Sequence, residues 1–148
     1  SAGGIIAIGY EAQIENCYNE VEVIADIDPT EFYPSEDPFI PKPVYAGGIA
    51  GYLDSGSSLF RCDNTGDVIA SQVMPELPES LPGGEMTVME VAYDEPYAYA
   101  GGIAGYVNGF YMGVSIENCQ NEANVSANNT YPYMRAYAGG VTGHIDIY

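Results

Sequence analysis

The sequence predicts an all-β domain: a parallel β-solenoid, right-handed and β-helix-like, of three to four rungs, with long loop insertions on one edge. Three observations lead there. An octapeptide recurs along the chain, a second pattern follows each copy at a nearly constant distance, and no stretch carries the 3.6-residue apolar stripe of a helix.

The octapeptide is Tyr99-Ala100-Gly101-Gly102-Ile103-Ala104-Gly105-Tyr106, and the same eight letters run from Tyr45 to Tyr52. A relaxed copy spans Tyr137 to His144, and a degenerate one opens the chain at Ala2 to Ile8. The second pattern is Cys-x-Asn-x-x-polar-Val-x-Ala, beginning at Cys17, Cys62 and Cys119. From the first glycine of each pair to the following Cys the distance is 14, 15 and 18 residues, so the inner part of the unit is nearly constant. Length varies after the Val-x-Ala stretch, where the chain inserts residues 26–44, 71–98 and 128–136. Insertions confined to one point of a repeat map to one edge of a stacked array.

Within each unit, β-branched and aromatic residues alternate with small or polar ones over short runs, which reads as strand. Taken as one strand, the octapeptide would point Tyr45, Gly47, Ile49 and Gly51 one way and Ala46, Gly48, Ala50 and Tyr52 the other. The glycine pair suits a bend, a positive φ, or a close backbone approach. Residues 84–93 read as a further strand inside the second insertion. Such units cannot bury an apolar face alone, but stacked copies can. Stacking would make Ile5, Ile49, Ile103 and Val141 one internal ladder and Val23, Val68 and Val125 another. Right-handedness follows from the rule for parallel crossovers. A β-sandwich is the alternative that glycine-rich strands at irregular spacing allow.

The chain has 148 residues, 47% of them apolar, enough for one domain with a core. It starts at Ser1 and both begins and stops inside a repeat, which reads as a single repeat domain, 1–148, taken from a larger protein. Its units are about 2–44, 45–98, 99–136 and a partial 137–148. Three Lys plus Arg against 21 Asp plus Glu leave a net charge of −18, which disfavours nucleic acid and anionic lipid as partners. No apolar run approaches the length of a spanning helix, so no membrane insertion is expected.

No cofactor is expected; the one the acidic residues could hold is calcium, with Asp26, Asp28, Asp54, Asp63 and Asp67 as candidate ligands. Neither an EF-hand loop nor the Asp-rich nonapeptide of calcium-binding β-rolls occurs, and exposed carboxylates ordinarily serve as solvated surface. The three Cys share one repeat position and read as small buried hydrophobes, with a disulfide as the rival. Asn19, Asn64 and Asn121 are in register and suit a stacked amide ladder. Of 14 Tyr, those at 45, 99 and 137 and at 52 and 106 recur with the repeat and read as packing of the stack. Tyr33, Tyr93, Tyr131 and Tyr133 lie in the insertions and are the candidate binding residues, because loops at one edge of a scaffold tend to carry function.

Gly48-Ile49-Ala50-Gly51, Gly102-Ile103-Ala104-Gly105 and Gly140-Val141-Thr142-Gly143, each near an Asn/Cys-containing strand, resemble the GLUG motif of bacterial surface proteins. Ile or Val stands where that motif has leucine. The resemblance implies a secreted or wall-attached bacterial protein, extracellular in location, using such repeats as spacer or adhesive modules. It brings no catalytic residues, so the expected role is a non-catalytic structural and adhesive module. Its expected partners are a host glycan or protein, flanking repeats, or another copy bound end to end. A carbohydrate-binding module is the first alternative. A β-helix polysaccharide hydrolase or lyase is the second, although Lys42, Arg61 and Arg135 fall at unrelated repeat positions and no two carboxylates stand out.

Overall fold

The structure, a computed structural model, describes residues 1–27, 43–72, 98–130 and 135–146. The strand expected over 84–93 lies outside them. The described residues form strands and turns with no helix, and the strands repeat unit by unit. The first unit holds β1 (Ala2–Gly3), β2 (Ile6–Gly9), β3 (Gln13–Glu15), β4 (Tyr18–Asn19) and β5 (Val23–Ile27). The second holds β6 (Val44–Gly47), β7 (Ala50–Leu53), β8 (Ser58–Phe60), β9 (Asp63–Asn64) and β10 (Val68–Gln72). The third holds β11 (Ala98–Gly101), β12 (Ala104–Asn108), β13 (Ser115–Glu117), β14 (Gln120–Asn121) and β15 (Val125–Asn129). The fourth contributes β16 (Ala136–Gly139) and β17 (Thr142–Asp146).

Five sheets collect the equivalent strands: β1-β6-β11-β16, β2-β7-β12-β17, β3-β8-β13, β4-β9-β14 and β5-β10-β15. Every pairing among the described residues is parallel, where a β-sandwich is built from antiparallel sheets. Register follows the repeat. Val68 faces Val23 and Val125, and Tyr99 faces Tyr45 and Tyr137, so like stands on like across each sheet.

Two apolar clusters fill the interior. Ile49, Leu53, Leu59, Cys62 and Ile103 anchor one, between the second, third and fourth sheets. The other is made of alanine and valine, Ala25, Val44, Ala46, Val68, Ala70, Ala98 and Ala100, between the first and fifth. Fully burying a Leu, Ile or Val contributes about 1.5–3 kcal/mol each. The ladder Ile5, Ile49, Ile103 and Val141 forms as expected, joined by N–H···O bonds of 3.0, 2.9 and 2.9 Å. Only its middle is buried. Ile49 and Ile103 are 0% exposed, but Ile5 is 48% and Val141 44% exposed, because an outer position is covered from one side only.

The octapeptide is not one continuous strand. The chain bends at Gly48-Ile49, between β6 in the first sheet and β7 in the second. The bend resets the alternation, so Tyr45 and Tyr52, expected on opposite faces, stand together with ring centroids 5.3 Å apart. Close approach explains the glycine: a Cβ on Gly48 would overlap the Gly102 carbonyl oxygen and the Asn64 side chain, and one on Gly102 would meet Gly140 and Asn121 likewise. The left-handed conformation falls elsewhere, on Asn16 (φ 53), Arg61 (φ 53) and Asn118 (φ 54), one per unit immediately before the Cys. Asn suits that conformation in the outer copies. In the middle copy Arg61 adopts it and lies 4.7 Å over the Phe60 ring.

Candidate functional site

The insertions leave the fifth sheet and return to the first at register-matched points. Gln72 pairs with Ile27 and Asn129 at the exits, and Ala98 with Val44 and Ala136 at the returns. The anchor points of all three therefore lie along one edge. One residue past each return comes a tyrosine, and these stack: Tyr45 on Tyr99 at 5.5 Å and Tyr99 on Tyr137 at 5.5 Å, nearly parallel.

A second column stands beside the first. Tyr52 stacks on Tyr106 at 5.3 Å and 4°, and Tyr106 on His144 at 5.3 Å. Edge contacts join the columns, Tyr99 to Tyr106 at 5.2 Å among them. Parallel in-register strands impose this spacing, since neighbours lie about 4.8 Å apart. Tyr99 is buried, whereas Tyr45, Tyr52, Tyr106, Tyr137 and His144 are half-buried. The columns pack the stack, as the repeat-locked tyrosines were expected to, and their half-exposed rings also give a ribbed aromatic face.

Polar groups border it. The Tyr106 hydroxyl donates to Asp146 Oδ2 at 3.2 Å, and Asn108 Nδ2 donates to the Tyr52 hydroxyl at 3.2 Å. Burial raises the Tyr106 hydroxyl above its ordinary value of 10.0, and the Asp146 carboxylate adds to the shift. Burial raises Tyr52 as well, against the lowering effect of Asn108. The unfolded chain thus loses these protons first. Stability that is full below about pH 10 declines as the pH climbs toward the folded values. Tyr106→Phe is expected to flatten the fall in Tm between about pH 10 and pH 12. An unchanged slope would show that the Tyr106 proton plays no part.

On the fourth sheet the asparagines form a ladder. Asn19 Nδ2 donates to Asn64 Oδ1 at 2.7 Å, and Asn64 Nδ2 to Asn121 Oδ1 at 2.8 Å. Each amide also donates to the carbonyl two residues on, at Val21, Gly66 and Ala123. Beside it a polar notch of about 140 Å³ is lined by Tyr18, Asp63, Asn64, Thr65, Gln120 and Glu122. That is well below the roughly 300 Å³ at which ligand pockets begin.

The cysteines are free thiols, Cys62 buried and Cys17 and Cys119 half-buried. Burial pushes the Cys17 and Cys119 thiols up, aided at Cys17 by the neighbouring Cys62 and opposed at Cys119 by the hydrogen bond from the Cys62 backbone N–H, which keeps them protonated and poor nucleophiles. Cys62 agrees with the reading of all three as small buried hydrophobes, while Cys17 and Cys119 are only half covered.

The candidate calcium ligands are not drawn together. Asp26 is exposed on β5, Asp54 follows β7 and accepts from the Ser55 N–H at 2.7 Å, Asp63 is exposed on β9, and Asp67 accepts from the Asn124 backbone N–H at 3.1 Å. Among the described residues no three His, Cys, Asp or Glu side chains are grouped to hold a metal ion. Asp28 and the candidate binding residues Tyr33, Tyr93, Tyr131 and Tyr133 lie outside the described residues. Sequence reasoning missed the left-handed residue before each Cys and the meeting of the two Tyr columns. Asn16 and Asn118 were the available signal for the former. Among the described residues no helix is long and apolar enough to cross a membrane. Comparison of the chain with family models, curated proteins and solved structures finds no match.

Proposed function

We propose that this chain is a right-handed parallel β-solenoid acting as a non-catalytic structural and adhesive module of a bacterial surface protein. The observation that carries the reading is the in-register stacking of equivalent residues, Asn19-Asn64-Asn121 and Tyr45-Tyr99-Tyr137, across parallel sheets. A stack of this kind gives a stiff spacer whose ends meet flanking repeats or another copy. In this reading the insertion edge carries the binding surface, and the resemblance of the repeats to the GLUG motif supports a location outside the cell. Binding a sugar through the aromatic columns is the second reading, favoured by the half-buried rings of Tyr52, Tyr106 and His144.

The test is an array of host glycans and extracellular proteins probed with the chain and with a variant carrying Ala at Tyr33, Tyr93, Tyr131 and Tyr133. Retention that the variant loses, with unfolding unchanged, is the expected result. Retention lost instead by Tyr52→Ala moves binding to the columns. No retention at all overturns the adhesive role, and release of new sugar ends from a polysaccharide makes the protein a hydrolase or lyase.

A further inference from the structure

The corner between the second and third sheets differs in length from unit to unit. Gly9, Leu53 and Val107 stand in register, and so do Gln13, Ser58 and Ser115. Between them run residues 10–12 in the first unit, 54–57 in the second and 108–114 in the third, which accounts for the whole spread in glycine-to-cysteine distance. The longest corner is apolar at its tip. Phe110, Tyr111 and Met112 are 46%, 85% and 52% exposed, whereas the second unit's corner is built of Ser55, Gly56 and Ser57. Three consecutive large apolar side chains turned to solvent oppose solubility and mark a contact surface.

This knuckle is tied down through its backbone. The Tyr111 N–H donates to Ser55 Oγ at 3.1 Å, the Gly56 N–H to the Met112 carbonyl at 3.0 Å, and the Phe110 N–H to Asn108 Oδ1 at 3.2 Å. Phe110 and Tyr111 meet edge to face at 4.6 Å. Met112 leans over the second unit toward the first: its Cε and Glu11 Cγ each lie 3.3 Å from where a Cβ on Gly56 would stand. The loop therefore covers the short corner in the middle of the stack. An aromatic anchor already held in shape loses little entropy on binding.

Charge selects the partner. Carboxylate residues of three units border the knuckle: Glu11 beside Met112, Asp54 next to the Ser55 that holds Tyr111, and Asp146, whose carbonyl accepts from the Gly109 N–H at 2.9 Å. The cations among the described residues, Arg61 and Arg135, are carried on other corners, and the whole chain has a net charge of −18. Such a field repels acidic surfaces and anionic lipid and attracts Lys and Arg. We propose that the knuckle Phe110-Tyr111-Met112 docks a basic protein partner, one whose surface offers an apolar socket rimmed by Lys or Arg. The site is separate from the insertion edge, which joins the fifth sheet to the first, so it stands or falls apart from the adhesive reading.

The experiment measures, by fluorescence anisotropy, three labelled peptides of equal length and one amphipathic pattern, made of Leu and Lys, of Ser and Lys, and of Leu and Glu. The Leu/Lys peptide is expected to bind the chain, about tenfold more weakly a variant carrying Tyr111→Ser and Met112→Ser, and about threefold more weakly Glu11→Gln. The variant with Ala at Tyr33, Tyr93, Tyr131 and Tyr133 is expected to bind it as the chain does. The Ser/Lys peptide is expected to bind weakly and alike to all, and the Leu/Glu peptide not at all. Unchanged Leu/Lys binding in either the Tyr111/Met112 or the Glu11 variant, comparable binding of the Leu/Glu peptide, or no binding of the Leu/Lys peptide would each overturn the proposal. Retention on phosphatidylcholine vesicles that the Tyr111/Met112 variant loses, without peptide binding, would assign the knuckle to a membrane instead.

Discussion

Gly48→Ala is expected to destabilise the fold by about 3 kcal/mol, a fall of roughly 10 °C in Tm for a chain of this size. The new Cβ would overlap the Gly102 carbonyl oxygen and the Asn64 side chain together. Neither can retreat. The carbonyl belongs to the neighbouring unit's bend, and Asn64 is held by hydrogen bonds on both sides. The control is Gly140→Ala at the same motif position in the last unit, where a Cβ would meet nothing within 4 Å. Its expected effect is within about 0.5 kcal/mol, as for an ordinary surface change. Urea unfolding of the two variants decides the matter, and similar losses from both would refute close approach as the reason for the glycine.

Asn64→Ala is expected to cost about 3 kcal/mol or more. Asn64 is 0% exposed, accepts from Asn19 at 2.7 Å, and donates to Gly66 at 2.7 Å and Asn121 at 2.8 Å. Truncation removes three bonds and strands a donor on Asn19 and the Gly66 carbonyl, each stranded group costing about 1–3 kcal/mol when buried. Asn121→Ala, at the half-exposed end of the ladder, is expected to cost about 1 kcal/mol because water replaces the lost partner. Equal losses from the two, measured by thermal unfolding, would mean that the ladder adds nothing beyond its individual bonds.

These two predictions meet at one contact, the second glycine of the octapeptide against the asparagine of the following pattern. Each half of that contact was plain in the repeat, as a required glycine and a register-locked amide. Their meeting was not, because it joins Gly48 to Asn64 across the unit, a distance that no local spacing encodes.

The sequence by itself determined the all-β class and the register in which equivalent strands pair. Parallel stacking makes repeat position and spatial register the same quantity, so aligning Val23, Val68 and Val125 on paper aligns them in the sheet. It also pointed to reduced cysteines, since three thiols at one repeat position are poorly aimed at one another. Only the tertiary structure decided which way the octapeptide faces. The bend at Gly48-Ile49 divides it between two sheets, and the alternation rule holds only within a strand, so Tyr45 and Tyr52 come together. Burial was likewise decided in three dimensions: Ile49 is covered from both sides and Ile5 from one, although the local sequences are alike. The acidic residues were the least legible, because ligand geometry depends on where loops converge, and Asp26, Asp54, Asp63 and Asp67 are carried on separate strands and turns that hold them apart.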